Sequence, residues 1–131
     1  MKKVLTFVLM LTTIAVFAQN EVKDAKFSES VYKFGKIKHN VPATHIFTVT
    51  NTGDKPLIIE FASASCGCTT PEYSKDPILK GKTATIKVTY NAANMGAFKK
   101  DVTVKFASAQ QPVVLSIEGE VVDAVTTKSS K

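Results

Sequence analysis

The sequence predicts an all-β domain, a β-sandwich of two antiparallel sheets. Three observations carry this. Six or seven short stretches alternate apolar and polar residues with a period of two. Clusters of Gly, Pro, Asn and Asp interrupt them roughly every 8–12 residues, the spacing of sandwich strands. No stretch of this region repeats its apolar residues with a helical period. The patterned region covers residues 27–122, close to the roughly 100 residues that a sandwich domain needs. With 131 residues in all, the chain has room for one such domain. A closed barrel is the structural alternative.

In chain order, Met1-Lys2-Lys3 forms a basic start, and Val4 to Phe17 is apolar except for threonines. Val16-Phe17-Ala18 then supplies small residues at a cleavage position before Gln19. Residues 1–18 therefore read as a secretory signal peptide. The apolar run is shorter than the roughly 20 residues needed to span a bilayer, so no membrane span is expected after cleavage. No cysteine marks a lipoprotein processing site. Residues 19–26 are polar and unpatterned, a flexible lead-in.

Val31, Tyr32, Phe34 and Ile37 belong to a first strand region, in which Gly35 marks a bulge. Over His45–Asn51, Phe47 and Val49 point one way and Ile46, Thr48 and Thr50 the other. Asn51-Thr52-Gly53-Asp54-Lys55-Pro56 is a dense turn signal. Leu57, Ile59 and Phe61 alternate with Ile58 and Glu60 in a further strand that leads into Ser65-Cys66-Gly67-Cys68-Thr69-Thr70. Pro71 to Lys80 reads as a loop. Gly81 then turns the chain into the clearest strand, with Ala84, Ile86, Val88 and Tyr90 inward. Asn94-Met95-Gly96 is a turn. Phe98, Val102, Val104 and Phe106 line one face of the next strand, and Val113, Leu115, Ile117 and Val121 alternate with Ser116, Glu118 and Glu120 in the last. Residues 123–131 are rich in Thr, Ser and Lys and read as a disordered tail.

The charge balance is 17 basic to 11 acidic residues, and every basic residue is lysine. Recognition of phosphate or guanine leans on the arginine fork, and no aromatic stacking motif interleaves with these lysines. Removing residues 1–18 leaves 15 lysines against 11 acids, a net charge of +4. Nucleic-acid binding is not expected.

Catalytic signatures are missing as well. Gly81-Lys82-Thr83 imitates the end of a phosphate-binding loop, but Asp76 stands where the first glycine belongs, and a strand follows instead of a helix. His39 and His45 sit near strand starts with no carboxylate or second histidine at ligand spacing, and read as solvated or lightly hydrogen-bonded imidazoles. No nucleophile elbow, metalloprotease helix or cofactor fingerprint occurs, so neither an enzyme nor a bound cofactor is expected.

Cys66 and Cys68 are the chain's two cysteines. Outside the cytosol, paired thiols tend to be oxidised. Gly67 between them permits the sharp turn that a bond across one residue requires. A bond closing so short a loop would be readily reduced and would contribute little stability. It could not tie two sheets together as the long-range cystine of antibody domains does. Four readings stay open: a local disulfide or otherwise structural pair, a soft-metal site with both thiolates as ligands and His39 or His45 completing it, a redox-active dithiol, and pairing with another chain.

One family shares these features in order: Phe34-Gly35-x-Ile37, Phe47-x-Val49-x-Asn51-Thr52-Gly53, Ser65-Cys66-Gly67-Cys68-Thr69, Gly81, Ile86-x-Val88-x-Tyr90, Gly96-x-Phe98 and Leu115-x-Ile117-x-Gly119-x-Val121. Over residues 31–122 the chain resembles the exported bacterial family catalogued as a domain of unknown function, numbered 1573. The resemblance implies an immunoglobulin-like sandwich of about seven strands, similar to major-sperm-protein and pilus-chaperone domains. Cys66 and Cys68 match the family's signature positions, and the family carries no settled activity. Ser108-Ala109-Gln110-Gln111 departs from it in lacking an asparagine. The expected function is a non-catalytic binding or scaffolding domain of the cell envelope that takes an envelope protein or peptide by edge-strand addition. The alternative is a thiol-based metal-handling or redox site. The periplasm is the expected compartment, with the cell surface or medium as the other destinations of an exported chain.

Overall fold

A computed structural model describes residues 22–123. The signal peptide read at residues 1–18 and the tail from residue 124 onward lie outside them. Eight strands follow in order: β1 (Ala25–Phe27), β2 (Val31–Lys38), β3 (Ala43–Asn51), β4 (Ile59–Ala64), β5 (Thr69–Tyr73), β6 (Thr83–Tyr90), β7 (Gly96–Phe106) and β8 (Val113–Val122). They form two four-stranded sheets, ordered β1-β3-β6-β5 and β2-β8-β7-β4. This is a sandwich and not a closed barrel. All pairings are antiparallel except β2 with β8.

The count exceeds seven because the leading segment is divided. β1 pairs with β3 in one sheet, and the chain then crosses at Ser28–Ser30 so that β2 pairs with β8 in the other. The strand therefore begins at Ala25, inside the lead-in expected to be flexible. A second correction concerns Pro71 to Lys80: Pro71, Glu72 and Tyr73 belong to β5. Pro71 hides that strand in the sequence, and an edge position tolerates it. A third concerns Phe61, which is 42% exposed. The register shifts between Ile59 and Phe61, so the alternation that buries Leu57 and Ile59 breaks there.

The core is the interleaving of inward rows. Phe47 and Val49 of β3 and Ile86, Val88 and Tyr90 of β6 face Val102, Val104 and Phe106 of β7 and Leu115, Ile117 and Val121 of β8, all buried. Aromatic rings join the two sheets: Tyr90 of β6 stacks on Phe98 of β7 at 4.1 Å between centroids, and Phe27 of β1 meets Phe106 of β7 at 6.2 Å. Each buried side chain of this size contributes about 1.5–3 kcal/mol.

Asn51, at the end of β3, is a fully buried polar residue. Its Nδ2 donates to the carbonyls of Lys55 (2.7 Å) and Ile78 (2.8 Å), and its Oδ1 accepts from the Gly53 amide (2.9 Å). Its backbone meets Lys82 and Gly81. One side chain thus fixes the turn after β3 and the segment before β6, where Leu57 and Ile78 pair. Burial without these partners would cost about 1–3 kcal/mol per group.

Gly35 does mark an irregularity: it has φ +68° and lies where the β2 register shifts. Opposite it, a Cβ at Gly119 would lie 2.7 Å from the Gly35 carbonyl oxygen and 3.0 Å from the Phe98 ring. Neither the backbone nor the stacked ring can retreat without loss of packing. Gly119→Ala is expected to lower the unfolding free energy by about 1–3 kcal/mol in urea titration; an unchanged midpoint would contradict this close approach.

Candidate functional site

The cysteine segment is the crossover between sheets. β4 ends one sheet's outer edge at Ala64, and β5 begins the other's at Thr69, so residues 65–68 carry the chain across the end of the sandwich. Both ends of the crossover are held. The Ser65 amide donates to the Asp101 carbonyl (3.0 Å), and the Cys68 carbonyl accepts from the Asn91 amide (3.0 Å). The Cα atoms of Cys66 and Cys68 are 5.3 Å apart and their sulfurs are at disulfide distance. Both residues are half-buried, with Cys68 against the core. Gly67 is exposed, and nothing lies within 4 Å of where its Cβ would be.

Thr69 is the residue that sequence reasoning missed. It is 4% exposed. Its Oγ1 lies 3.9 Å from Cys66 Sγ and 3.8 Å from Cys68 Sγ, and among the described residues these sulfurs are its hydrogen-bonding partners. The sequence signal was present in the threonine directly after the second cysteine, but a surface threonine looks the same until β5 is known.

The histidines do not join the cysteines. Among the described residues no group of three or more His, Cys, Asp or Glu could hold a metal ion. His45 lies between the sheets, with Nε2 2.8 Å from Glu29 Oε1 and its ring stacked on Tyr32 at 3.5 Å. His39 places Nε2 3.1 Å from the Ala93 carbonyl oxygen. The metal reading that used a histidine to complete the site therefore has no third ligand in this arrangement. Gly81, the phosphate-loop imitation, has φ +74° and donates its amide to the Asn51 carbonyl in a turn before β6.

The loops near the cysteines meet at the same end of the sandwich. The Asn40 amide donates to the Ala92 carbonyl (2.9 Å), linking the β2–β3 and β6–β7 loops. Both residues are left-handed, with φ 58° and 53°, and Ala92 is fully buried. Left-handed alanine is costly and persists where its surroundings dictate it.

Among the described residues four strands have an outer edge: β1, β5, β2 and β4. β1 is three residues long. β2 carries Lys33, Lys36 and Lys38. In β5 the Thr70–Thr89 pair is flanked by Pro71–Val88, and the Asn91–Cys68 bond sets the alternation, so Pro71 occupies an outward-facing position and supplies no amide. These are ordinary protections of exposed edges. β4, Ile-Glu-Phe-Ala-Ser-Ala, has neither lysine nor proline. The Ser65–Asp101 bond sets its alternation too, which leaves the amides and carbonyls of Ala62 and Ala64 pointing outward.

A cross-link over one residue constrains the unfolded chain weakly. The chain-entropy relation gives it about 1.5 kcal/mol, against about 4.7 for a 100-residue loop. Replacing both cysteines (C66S with C68S) is therefore expected to leave a folded sandwich whose stability in urea falls by no more than about 1.5 kcal/mol. An unfolded product would show the cysteines to be a main support of the fold.

Comparison with solved structures shows the fold. A protein of unknown function from Porphyromonas gingivalis superposes with a TM-score of 0.64 at 13% identity, covering 73% of this chain and 46% of its own. The VesB protease of Vibrio cholerae gives 0.61 at 13% identity, covering 75% and 32%. The ASH/PapD-like domain 7 of human CEP192 gives 0.61 at 9% identity, covering 78% and 87%. The chain thus spans less than half of the first two proteins and most of the third. No curated protein matches it. The family profile matches residues 25–121, and the chain belongs to the family described as a protein of unknown function (DUF1573).

Proposed function

We propose that this protein is an exported, non-catalytic binding domain of the cell envelope that receives an extended segment of a partner protein along β4. The signal-peptide pattern of residues 1–18 supports export, and the periplasm is the compartment in which we place it. The observation that carries the reading is the contrast among the four edges: β4 alone lacks proline, lysine and extreme shortness among the edge strands described. Strand addition uses main-chain hydrogen bonds for affinity and alternate side chains for selection. Ala62 and Ala64 offer the first, while Phe61, 42% exposed, and Ser63 flank them on the outer face and offer the second. Ile58, 39% exposed, extends the apolar character toward the other end of the strand.

Ala62→Pro removes an outward amide while leaving the bonds from β4 to β7 in place. In capture from envelope extract, the unsubstituted chain is expected to retain a specific partner that Ala62→Pro loses by at least about tenfold, the loss of roughly one to two main-chain bonds. Pro71→Ala, on the opposite sheet's edge, is expected to bind as before. Amide exchange at Ala62 and Ala64 should slow when the partner is bound. Retention by Ala62→Pro, or the absence of any specific partner on the unsubstituted chain, would defeat the proposal.

A further inference from the structure

We propose that Cys66 and Cys68 are the redox pair of a dithiol–disulfide exchange site, and that Thr69 is the residue that receives the thiolate released when the pair is opened. The substrate class is a dithiol able to resolve its own mixed disulfide. The proposal is independent of strand addition at β4.

One buried hydroxyl beside the pair is poorly used. Thr69 is 4% exposed, and the two sulfurs are the partners its Oγ1 has among the described residues, at 3.9 and 3.8 Å. Divalent sulfur is a weak acceptor. A buried hydroxyl usually finds a carbonyl or carboxylate, because leaving it without a good acceptor costs about 1–3 kcal/mol. Once the pair is opened, one sulfur becomes an anion, and the same hydroxyl makes a charge-assisted bond, the stronger class. The oxidised form thus holds a donor already aimed at the atom where negative charge will develop.

Access and retention are built in as well. Gly67 is exposed with open space where its Cβ would be, so the turn between the two half-buried cysteines faces solvent. Cys68 packs against the core and its carbonyl is held by Asn91, whereas Cys66, equally half-buried, is not among the residues packed against the core. Attack therefore falls on Cys66. Since Ser65 is tied to Asp101 and Cys68 to Asn91, the two sulfurs stay close after opening and re-form the bond readily.

The first thiolate of the external dithiol attacks Cys66 Sγ and forms a mixed disulfide. The Cys66–Cys68 bond breaks, and its electron pair leaves on Cys68 Sγ, where the Thr69 hydroxyl donates to it. The second thiolate of the dithiol then attacks the dithiol's own first sulfur and expels Cys66 as a thiolate. The external dithiol ends as a disulfide, having lost two electrons and two protons; both electrons reduce the protein pair, and the protons end on Cys66 and Cys68. The reverse sequence oxidises a partner dithiol by the same atoms.

The test uses the whole chain with dithiothreitol as the dithiol, followed by alkylation and intact mass, with circular dichroism to confirm that the sheets persist. The pair is expected to open completely in the folded protein and to re-form with oxidised dithiothreitol. Thr69→Val, which keeps the shape and removes the hydroxyl, is expected to slow opening by about tenfold, the size of one lost hydrogen bond to an anion. Thr69→Ser is expected to stay within about twofold of the unsubstituted chain, since it keeps the donor. Opening at an unchanged rate in Thr69→Val overturns the role given to Thr69. A pair that resists excess dithiothreitol until the sheets unfold overturns the site as a whole, and that measurement decides even if the valine variant does not fold.

Discussion

The packing of one sheet's inward row against the other's is the interaction on which everything else depends. It is most direct where the Tyr90 ring lies on Phe98, and it continues through Phe47, Ile86, Val104, Phe106, Leu115 and Ile117, all of them buried. One such side chain contributes about 1.5–3 kcal/mol, as much as a cross-link over a single residue can supply on the chain-entropy account. On that account the cross-link is a small contributor to the sheets beside the core. That frees the crossover at residues 65–68 to be chosen for chemistry, within the limits set by its two tethers at Asp101 and Asn91.

The ends of the sandwich complete the picture. At one end, the Asn51 side chain satisfies the Lys55 and Ile78 carbonyls and the Gly53 amide, so the turn after β3 and the approach to β6 are fixed without a long apolar segment. At the other, the crossover sits beside the loop of left-handed Ala92, whose carbonyl accepts from left-handed Asn40. The first end spends its polar groups on satisfied, buried bonds. The second keeps a half-buried pair of sulfurs, an exposed glycine and a hydroxyl with weak acceptors. The contrast is the physical reason to look for function at the second end.

Most of the fold was legible because period-two alternation is a direct consequence of one wet and one dry face. β6 and β7 follow it closely, as do Phe47 and Val49 of β3 against exposed Ile46. β8 departs from it at Ser116, expected on the polar face but buried, where its hydroxyl donates to Asp101. β1 was not legible: three residues cannot show a period, and pairing with β3 is decided by where the chain crosses between sheets. β5 was hidden by Pro71, whose meaning depends on whether its strand is central or at an edge. Phe61 misled because a one-residue shift in register reverses which face a side chain takes. The cysteines could be singled out from sequence, yet the residue that gives them a chemical environment, Thr69, becomes visible once β5 places its hydroxyl beneath both sulfurs.

The central claim is that the cysteine crossover is a site carried by a fold that stands without it. Native-state amide hydrogen exchange on the oxidised and the reduced chain tests this most directly. The account predicts equal protection of the β6, β7 and β8 amides in the two forms, with changes confined to Ser65–Thr69 and the adjoining Asn91. A general loss of protection across those core strands on reduction would contradict it.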